Sequence, residues 1–378
     1  MSDEFNDNII NEEVSEDTKT KTKKPKKEKN TEPKEYSIND FEKDYNKYLG
    51  RDALITPDVS DIGIENIPRI TTGSIALDCD IGGGYPCWRI SMLTGYESVG
   101  KTYLLNKAMA SVTNNGGLVY FAEPEKTWDE FWGYQCGIQL KNVKMSDCLY
   151  AEQELDMLEM AIRSGVFRLV LLDSIAELIT KKDLESENEK DSMARLAALL
   201  SKSFRKINSA LSEAKRKGKE VYVIMTNQFR AKIGMFVGGV TEPGGNTVKY
   251  RPCVKIELRK EDNIQQEDTS IIGQVVNYVI KKNKTFPPLK SGELRYFFDN
   301  DKIGDIDNFR GLFDLGVRFG FINKGGAWYS GKWLDDNKFQ GAENAANYLT
   351  NLETDKLNTY LDELGEAVLP GRKICFRF

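Results

Sequence analysis

The run Gly95-Tyr96-Glu97-Ser98-Val99-Gly100-Lys101-Thr102 follows a strand-like segment, Arg89-Ile90-Ser91-Met92-Leu93, and leads into a helical stretch from Tyr103 to about Val112. Nothing else in the chain constrains its fold as strongly. The run has the spacing of a phosphate-binding loop, set between the strand and helix that such a loop needs. The residue types suit that chemistry. Glycines let backbone N–H groups curl around phosphates, Lys101 reaches the outer phosphates, and the Thr102 hydroxyl can ligand Mg²⁺. The helix adds its N-terminal dipole. The chain is therefore expected to bind a nucleoside triphosphate; the alternative, a glycine turn in a surface loop, does not account for the flanking strand and helix.

Apolar runs recur between helical stretches: Ile90 to Leu93, Leu118 to Ala122, Leu169 to Leu172 and Val221 to Met225. Short apolar runs of this kind indicate βαβ units and a parallel sheet. Each run ends in polar residues: Gly95 onward, then Glu123 and Glu125, then Asp173 and Ser174, then Asn227 and Gln228. Ligands bind beyond the carboxyl ends of strands in open α/β sheets, so the four ends are expected to converge on one site. Asp173 is placed to hold the water shell of Mg²⁺. The chain contains no histidine, which excludes Ser-His triads, His-ligated metals and imidazole bases. Orientation or deprotonation of an attacking water falls to Glu123 or Glu125, and residue physics does not choose between them.

The six cysteines are scattered without C-x-x-C spacing, which argues against zinc and against a disulfide framework. The acidic N-terminus has no apolar segment, and no run of eighteen or more apolar residues could span a bilayer, so a cytoplasmic protein is expected. The net charge of −5 hides strong patterning. Residues 1–35 are acidic, then lysine-rich, with little to bury, and read as a disordered charged tail. Ile38 to Leu49 carries Phe41, Tyr45, Tyr48 and Leu49 at helical spacing and reads as an amphipathic helix suited to a neighbouring subunit.

Ser192 to Lys217 reads as a long helix whose core face is Met193, Leu196, Leu200, Phe204, Ile207 and Leu211, capped by Gly218. A polar stripe, Ser201, Arg205, Asn208 and Ser212, is left for contact. After Gln228, Phe229-Arg230-Ala231-Lys232-Ile233-Gly234 and a glycine-rich stretch to Asn246 form a mobile loop that either tracks a nucleic-acid backbone or closes over the nucleotide. Val275 to Lys281 and Leu294 to Phe298 alternate as antiparallel edge strands. From about residue 303, Gly316, Gly320, Gly325, Gly326 and Gly331 punctuate a smaller α+β unit.

In sequence order, Ile70 to Asp78, Gly95 to Thr102, Phe121 to Asp129, Leu172 to Ala176, Asn227 to Gly234, Gly244 to Asn246, Lys282-Asn283-Lys284, Asp314 to Val317 and Gly326-Ala327-Trp328-Tyr329-Ser330 make the chain resemble a RecA-family recombinase. It is similar to a divergent member of the bacterial type, over roughly residues 65–345. The resemblance implies an α/β fold: a RecA-like P-loop ATPase core with a mostly parallel central sheet, a short N-terminal helical segment and a small α+β C-terminal domain. The implied division is an oligomerisation segment over 36–70 after the tail, an ATPase core over 71–302 and a C-terminal domain over 303–378. It further implies ATP and Mg²⁺ as cofactors, with single-stranded DNA, then homologous duplex DNA, and further copies of the chain in a helical filament as partners.

By the same resemblance, Glu125 polarises the attacking water, and Asp129 and Trp132 contact and stack on adenine. Gln228 senses the γ-phosphate, while Lys282 and Lys284 reach a neighbouring subunit's ATP. The implied DNA contacts are Met193, Ser201, Arg205, Arg230, Lys232, Ile233, Gly244, Gly245 and Asn246, with Met193 and Ile233 as apolar wedges. The chain departs from the pattern in its first DNA-binding loop, Glu185-Ser186-Glu187-Asn188-Glu189-Lys190-Asp191, which lacks glycine and is acidic. It departs again at Ala198, where an arginine is expected and Arg195 is the candidate replacement, and in its basic C-terminal segment, Arg372-Lys373-Ile374-Cys375-Phe376-Arg377-Phe378. The expected function is an ATP-dependent recombinase that forms filaments on single-stranded DNA and promotes pairing and strand exchange, with DNA-stimulated hydrolysis. A recombination mediator without strand exchange and a hexameric motor on the same core are the alternatives.

Overall fold

The computed structural model describes residues 37–51, 54, 67–185, 192–231, 240–266, 269–299, 303–368, 370 and 374–378. The charged tail, the first DNA-binding loop beyond Glu185, Lys232, Ile233 and residues 371–373 lie outside that set. The chain divides into two units, Met1–Val59 and Ser60–Phe378. In the first, helix α1 (Ile38–Leu49) has the ends its periodicity predicts. Ser37 and Asp40 form a reciprocal capping box, and Gly50, at φ 64°, ends the helix. Along its apolar stripe the Phe41 and Tyr45 rings stack 5.7 Å apart.

The second unit opens with β1 (Arg69–Ile70), then α2 (Ile75–Ile81), capped by Ser74, and β2 (Tyr85–Pro86), which pairs antiparallel with β1. Next come β3 (Ile90–Gly95), α3 (Lys101–Asn114), β4 (Leu118–Ala122), α4 (Glu130–Gln135) and β5 (Val143–Met145). After them run α5 (Ala151–Ser164), β6 (Phe167–Leu172), α6 (Lys181–Glu185), α7 (Ser192–Arg216) and β7 (Tyr222–Gln228). The short pair β8 (Arg230–Ala231) and β9 (Val240–Thr241) precedes α8 (Gly245–Tyr250), β10 (Val254–Gln265), β11 (Ile271–Asn283) and β12 (Ser291–Phe297). The chain continues through α9 (Asn308–Arg318), a small antiparallel sheet of β13 (Asn323–Gly325), β14 (Trp328–Ser330) and β15 (Phe339–Gln340), then α10 (Ala342–Thr350) and α11 (Thr354–Val368).

The central sheet has eight strands in the order β12-β11-β10-β3-β7-β6-β4-β5. From β10 to β5 every pairing is parallel; β11 and β12 add an antiparallel edge. Alternation along the strands explains how the sheet is covered on both faces, because successive side chains point to opposite sides. Leu93, Phe121, Leu169, Leu171 and Ile224 pack with Leu104, Leu105 and Met109 of α3. Their sequence neighbours Met92, Tyr120, Val170, Leu172, Val223 and Met225 pack with Leu155 and Leu158 of α5 and with Leu200, Phe204 and Ile207 of α7. On α7 the expected core face holds from Leu196 onward, but Met193 is 82% exposed. Gly218, at φ 64°, follows the end of α7 as its spacing predicts.

A third core joins Ile75 and Cys79 of α2 to Leu312, Phe313, Trp333, Leu349 and Leu361. The C-terminal elements thus share their apolar core with a helix of the N-terminal half. Fully buried Asp80 on α2 pairs with Arg318 of α9 and accepts from the Tyr278 hydroxyl at 2.8 Å, so the junction carries a polar clasp as well. No described helix is long and apolar enough to cross a membrane.

Candidate functional site

The phosphate-loop sequence lies where β3 ends and α3 begins. Gly100 has φ 85°, and a Cβ there would sit 2.9 Å from the Tyr296 ring, so both the conformation and the packing require glycine. α3 begins at Lys101, two residues earlier than the sequence indicates. The Lys101 ammonium donates to the carbonyl oxygens of Tyr96 (2.5 Å) and Gly95 (3.4 Å), and its burial lowers its pKa, a shift opposed by Asp173. Thr102 Oγ1 donates to Asp173 Oδ2 at 2.6 Å, and Thr226 holds the other oxygen. Burial raises the Asp173 pKa while these hydroxyl bonds lower it.

A cleft of about 610 Å³ opens beside this loop. Glu97, Ser98, Lys101, Thr102, Glu125, Asp173 and Gln228 all line it. Side chains from the ends of β3, β4, β6 and β7 are thereby brought together, as the four run ends predict. The two glutamates separate. Glu125 lines the cleft, whereas Glu123 is buried outside it and accepts from the Thr127 backbone N–H at 3.1 Å, pinning the loop that carries Glu125. Partial burial raises the Glu125 pKa, reinforced by the negative charges of Asp173, Glu177 and Glu97 and opposed by Lys101.

No group of three or more metal-ligating side chains occurs among the described residues. Mg²⁺ keeps several waters and takes one or two protein oxygens plus phosphate oxygens. Thr102 and Asp173, already joined by a hydrogen bond, fit such a site.

One end of the cleft is aromatic. Trp132 lines it, with Tyr103, Tyr296 and Phe298; Tyr103 stacks on Tyr296 at 4.6 Å and lies 6.1 Å from Trp132. Asp129, expected beside adenine, instead caps α4: its Oδ1 accepts from the Trp132 N–H at 2.7 Å, and it does not line the cleft. Its side chain is drawn to the unpaired amides of the helix start. Lys260, Gln274, Tyr296 and Phe298 also line the cleft and were missed in the sequence. They come from the antiparallel strands and the turn after β12, far from any motif, so no spacing signals them.

Lys282 and Lys284 are not in this subunit's cleft. Register pairs Lys282 with Lys255 and Val254 with Ser91, while the loop leaves beyond Gly95, paired with Leu258. At about 3.3 Å per residue, the lysines lie roughly 10 Å or more toward the opposite end of the sheet. Lys282 Nζ donates to the Tyr250 carbonyl at 2.5 Å, and partial burial, then the like charge of Lys284, lowers its pKa.

The positions expected to meet DNA cluster on α7 and the segment before α8. Met193, Ser201 and Arg205 fall on one row of α7 at multiples of four residues, and Arg205 Nε donates to the Ser201 carbonyl at 3.1 Å. Gly244 and Gly245 pack against this helix. A Cβ on Gly244 (φ 93°) would come within 2.8 Å of Leu200, and one on Gly245 within 3.2 Å of Ala197. Gly244 is thus buried and serves close approach, while Gly245 and Asn246 stay exposed. Arg230, on β8, donates to the Ala176 carbonyl at 2.8 Å and pairs with Glu177 at 3.3 Å. Arg195, the candidate replacement for the arginine absent at Ala198, is paired with Asp183 and does not take up that position.

Two family models match the chain: the RecA N-terminal domain over residues 36–302 and the RecA C-terminal domain over residues 311–359. Curated proteins named Protein RecA are similar along most of their length. The one from Streptomyces ambofaciens is 33% identical over 329 residues, 86% of this chain and 85% of its own. The Streptomyces venezuelae protein is 35% identical over 287 residues, 75% of this chain and 73% of its own. The Borrelia hermsii protein is 34% identical over 323 residues, 84% of this chain and 87% of its own.

Proposed function

The chain belongs to the RecA family, and from that premise we propose that it is an ATP-dependent recombinase. In this reading it assembles as a filament on single-stranded DNA, pairs that strand with homologous duplex and exchanges strands, with hydrolysis stimulated by DNA. One observation carries the coupling: Gln228 lines the cleft at the end of β7, and Arg230 stands two residues on, in the segment expected to meet DNA. A shift of a few ångströms at one must be felt at the other.

Lys101 and the loop amides bind the outer phosphates, and Glu125 orients and accepts a proton from the attacking water. Thr102 and Asp173 would hold Mg²⁺, which would supply neutralisation of the phosphate charge there. Glu97, Glu125 and Asp173 face the cleft against Lys101 and Lys260. Three carboxylates against two ammonium groups leave this wall short of cations for a triphosphate. Lys282 and Lys284 of a neighbouring subunit make up the deficit in trans, as an arginine finger does. Hydrolysis therefore requires assembly.

The deciding experiment is steady-state ATP hydrolysis with and without single-stranded DNA, at modest salt because phosphate contacts are salt-sensitive. Strong stimulation, abolished by Lys101→Ala, supports the recombinase. The mediator reading is favoured by one observation, the pairing of Arg195 with Asp183, which keeps it from replacing the arginine absent at Ala198; ATP binding without stimulation would establish it instead.

A further inference from the structure

Both carbonyls that hold the Lys101 ammonium belong to residues that also touch Phe229. Lys101 Nζ donates to the Tyr96 carbonyl at 2.5 Å and to that of Gly95 at 3.4 Å. The Gly95 carbonyl accepts in addition from the Phe229 backbone N–H at 3.1 Å. The Tyr96 ring meets the Phe229 ring edge-on, with centroids 5.5 Å apart and planes at 82°. Phe229 lies between Gln228, the last residue of β7, and Arg230, the first of β8. Neither Tyr96 nor Phe229 lines the cleft, and the phosphate-loop pattern leaves its second position open to any side chain. Phosphate binding therefore does not call for an aromatic at position 96. Nor does the core, since Tyr96 is 51% exposed.

Gly95 and Tyr96 differ in how firmly they are held. Gly95 is paired with Gln228 on one side and Leu258 on the other, and a Cβ on it would sit 2.6 Å from the Leu258 carbonyl oxygen. Tyr96 follows the last residue of β3. A triphosphate draws the Lys101 ammonium away from these neutral carbonyls, because hydrogen bonds to anionic oxygens are roughly twice as strong. The change falls on the less constrained of the two residues, Tyr96, whose ring rests on Phe229. We propose that the Tyr96–Phe229 ring pair transmits the engagement of Lys101 by a triphosphate to the segment that carries Arg230, so that Tyr96 and Phe229 are positioning residues for the DNA contact. The proposal rests on the recombinase reading and adds to it a route of coupling separate from the Gln228 side chain. Gln228 meets the nucleotide from the cleft; the ring pair answers to the lysine.

The test measures the coupling factor, the ratio of the single-stranded DNA dissociation constants of the full chain without nucleotide and with saturating AMP-PNP in Mg²⁺, read by fluorescence anisotropy. A substitution that alters DNA affinity equally in both states leaves this ratio unmoved. The unaltered chain should show a factor on the order of 50-fold. Tyr96→Leu and Phe229→Leu should each lower it by about fivefold, the scale of one aromatic pair. Tyr96→Phe keeps the ring and should lower it by less than about twofold. The double leucine variant should lose no more than either single one, because the two rings act as a unit. An unchanged factor in Tyr96→Leu, an equal loss in Tyr96→Phe, or a double variant that loses about 25-fold, the product of independent effects, overturns the proposal. Should Phe229→Leu fail to fold, the comparison of Tyr96→Leu with Tyr96→Phe decides alone. An unaltered chain whose DNA affinity does not respond to AMP-PNP would instead bring down the recombinase reading, and the proposal with it.

Discussion

The cleft and the surface proposed to meet DNA are held in different ways. The cleft residues around the phosphate loop project from the ends of β3, β4, β6 and β7 or from the first turn of α3, and their backbones are fixed by strand pairing and by two apolar layers. The residues expected to meet DNA stand on the first half of α7, on the short β8–β9 pair and at the start of α8. Two nearby cations are paired, Arg195 with Asp183 and Arg230 with Glu177, while Arg205 bonds to Ser201 on its own helix. A site on strand ends is pre-arranged by the core, whereas a site on loops is set by local charge pairs, which are weak when exposed. The cleft should therefore tolerate little change, and the DNA face should be adjustable.

The sharpest test of that contrast concerns the part of the nucleotide site that the subunit does not supply. Lys282→Ala together with Lys284→Ala should lower DNA-stimulated hydrolysis by about 10³-fold or more while leaving ATP binding to the isolated subunit unchanged. Mixing this variant with an equal amount of Lys101→Ala subunits should restore part of the activity, because the intact lysines of a Lys101→Ala subunit would complete the site of a neighbouring variant whose phosphate loop is intact. Absence of any rescue would mean that the lysines act within their own subunit, against the register that separates them from the loop.

Within the cleft, Glu125→Gln should cost about 10²–10⁴-fold in hydrolysis with nucleotide affinity nearly unchanged, whereas Glu123→Gln should act chiefly through the loop it pins. The acid limb of activity belongs to the same residue. Glu125 works as the carboxylate, and its pKa is raised by partial burial and by Asp173, Glu177 and Glu97 against Lys101. Activity must then fall as pH drops through a value above that of an exposed glutamate. An acid limb at the ordinary glutamate position, read from initial rates across pH, would remove Glu125 from that role.

How far each region could be read beforehand follows the same division. The phosphate loop, Asp173 and Gln228 were legible because apolar runs locate strands, and strand ends locate ligands. The choice between Glu123 and Glu125 was not, because both follow β4 and only tertiary burial separates them. Strand β10 passed unnoticed since its charged residues interrupt the apolar run. Lys255 and Glu257 are buried, Lys255 only with Glu242 from the preceding segment as its partner. Periodicity put Met193 in phase with the core face, but the residue is exposed, which spacing along the helix does not reveal. Ion pairs such as Arg195–Asp183 join side chains whose spacing carries no signal, so the loop-borne surface is the less legible half.

On the DNA face, Arg230→Ala should weaken single-stranded DNA binding by about tenfold and lower the salt slope by about one, with no preference among base sequences, because a phosphate contact positions without reading. Fluorescence anisotropy over a salt series measures both. A sequence-dependent loss would instead assign Arg230 to a base edge.

The smallest effect tests the adjustable pairing directly. Glu177 holds Arg230 at 3.3 Å and also contributes negative charge against Glu125. Glu177→Gln removes both influences. With its counter-ion gone, Arg230 is free for phosphate, so DNA affinity should rise by about two- to fivefold, the scale of an exposed ion pair. With one negative charge fewer facing it, Glu125 should ionise more readily, and the acid limb of hydrolysis should move to lower pH. The two shifts have one cause but different readouts. Tighter DNA binding with an unmoved acid limb would confine Glu177 to the loop; a moved limb with unchanged DNA binding would confine it to the cleft. Both moving together would make this one carboxylate the point where the adjustable surface acts on the fixed site.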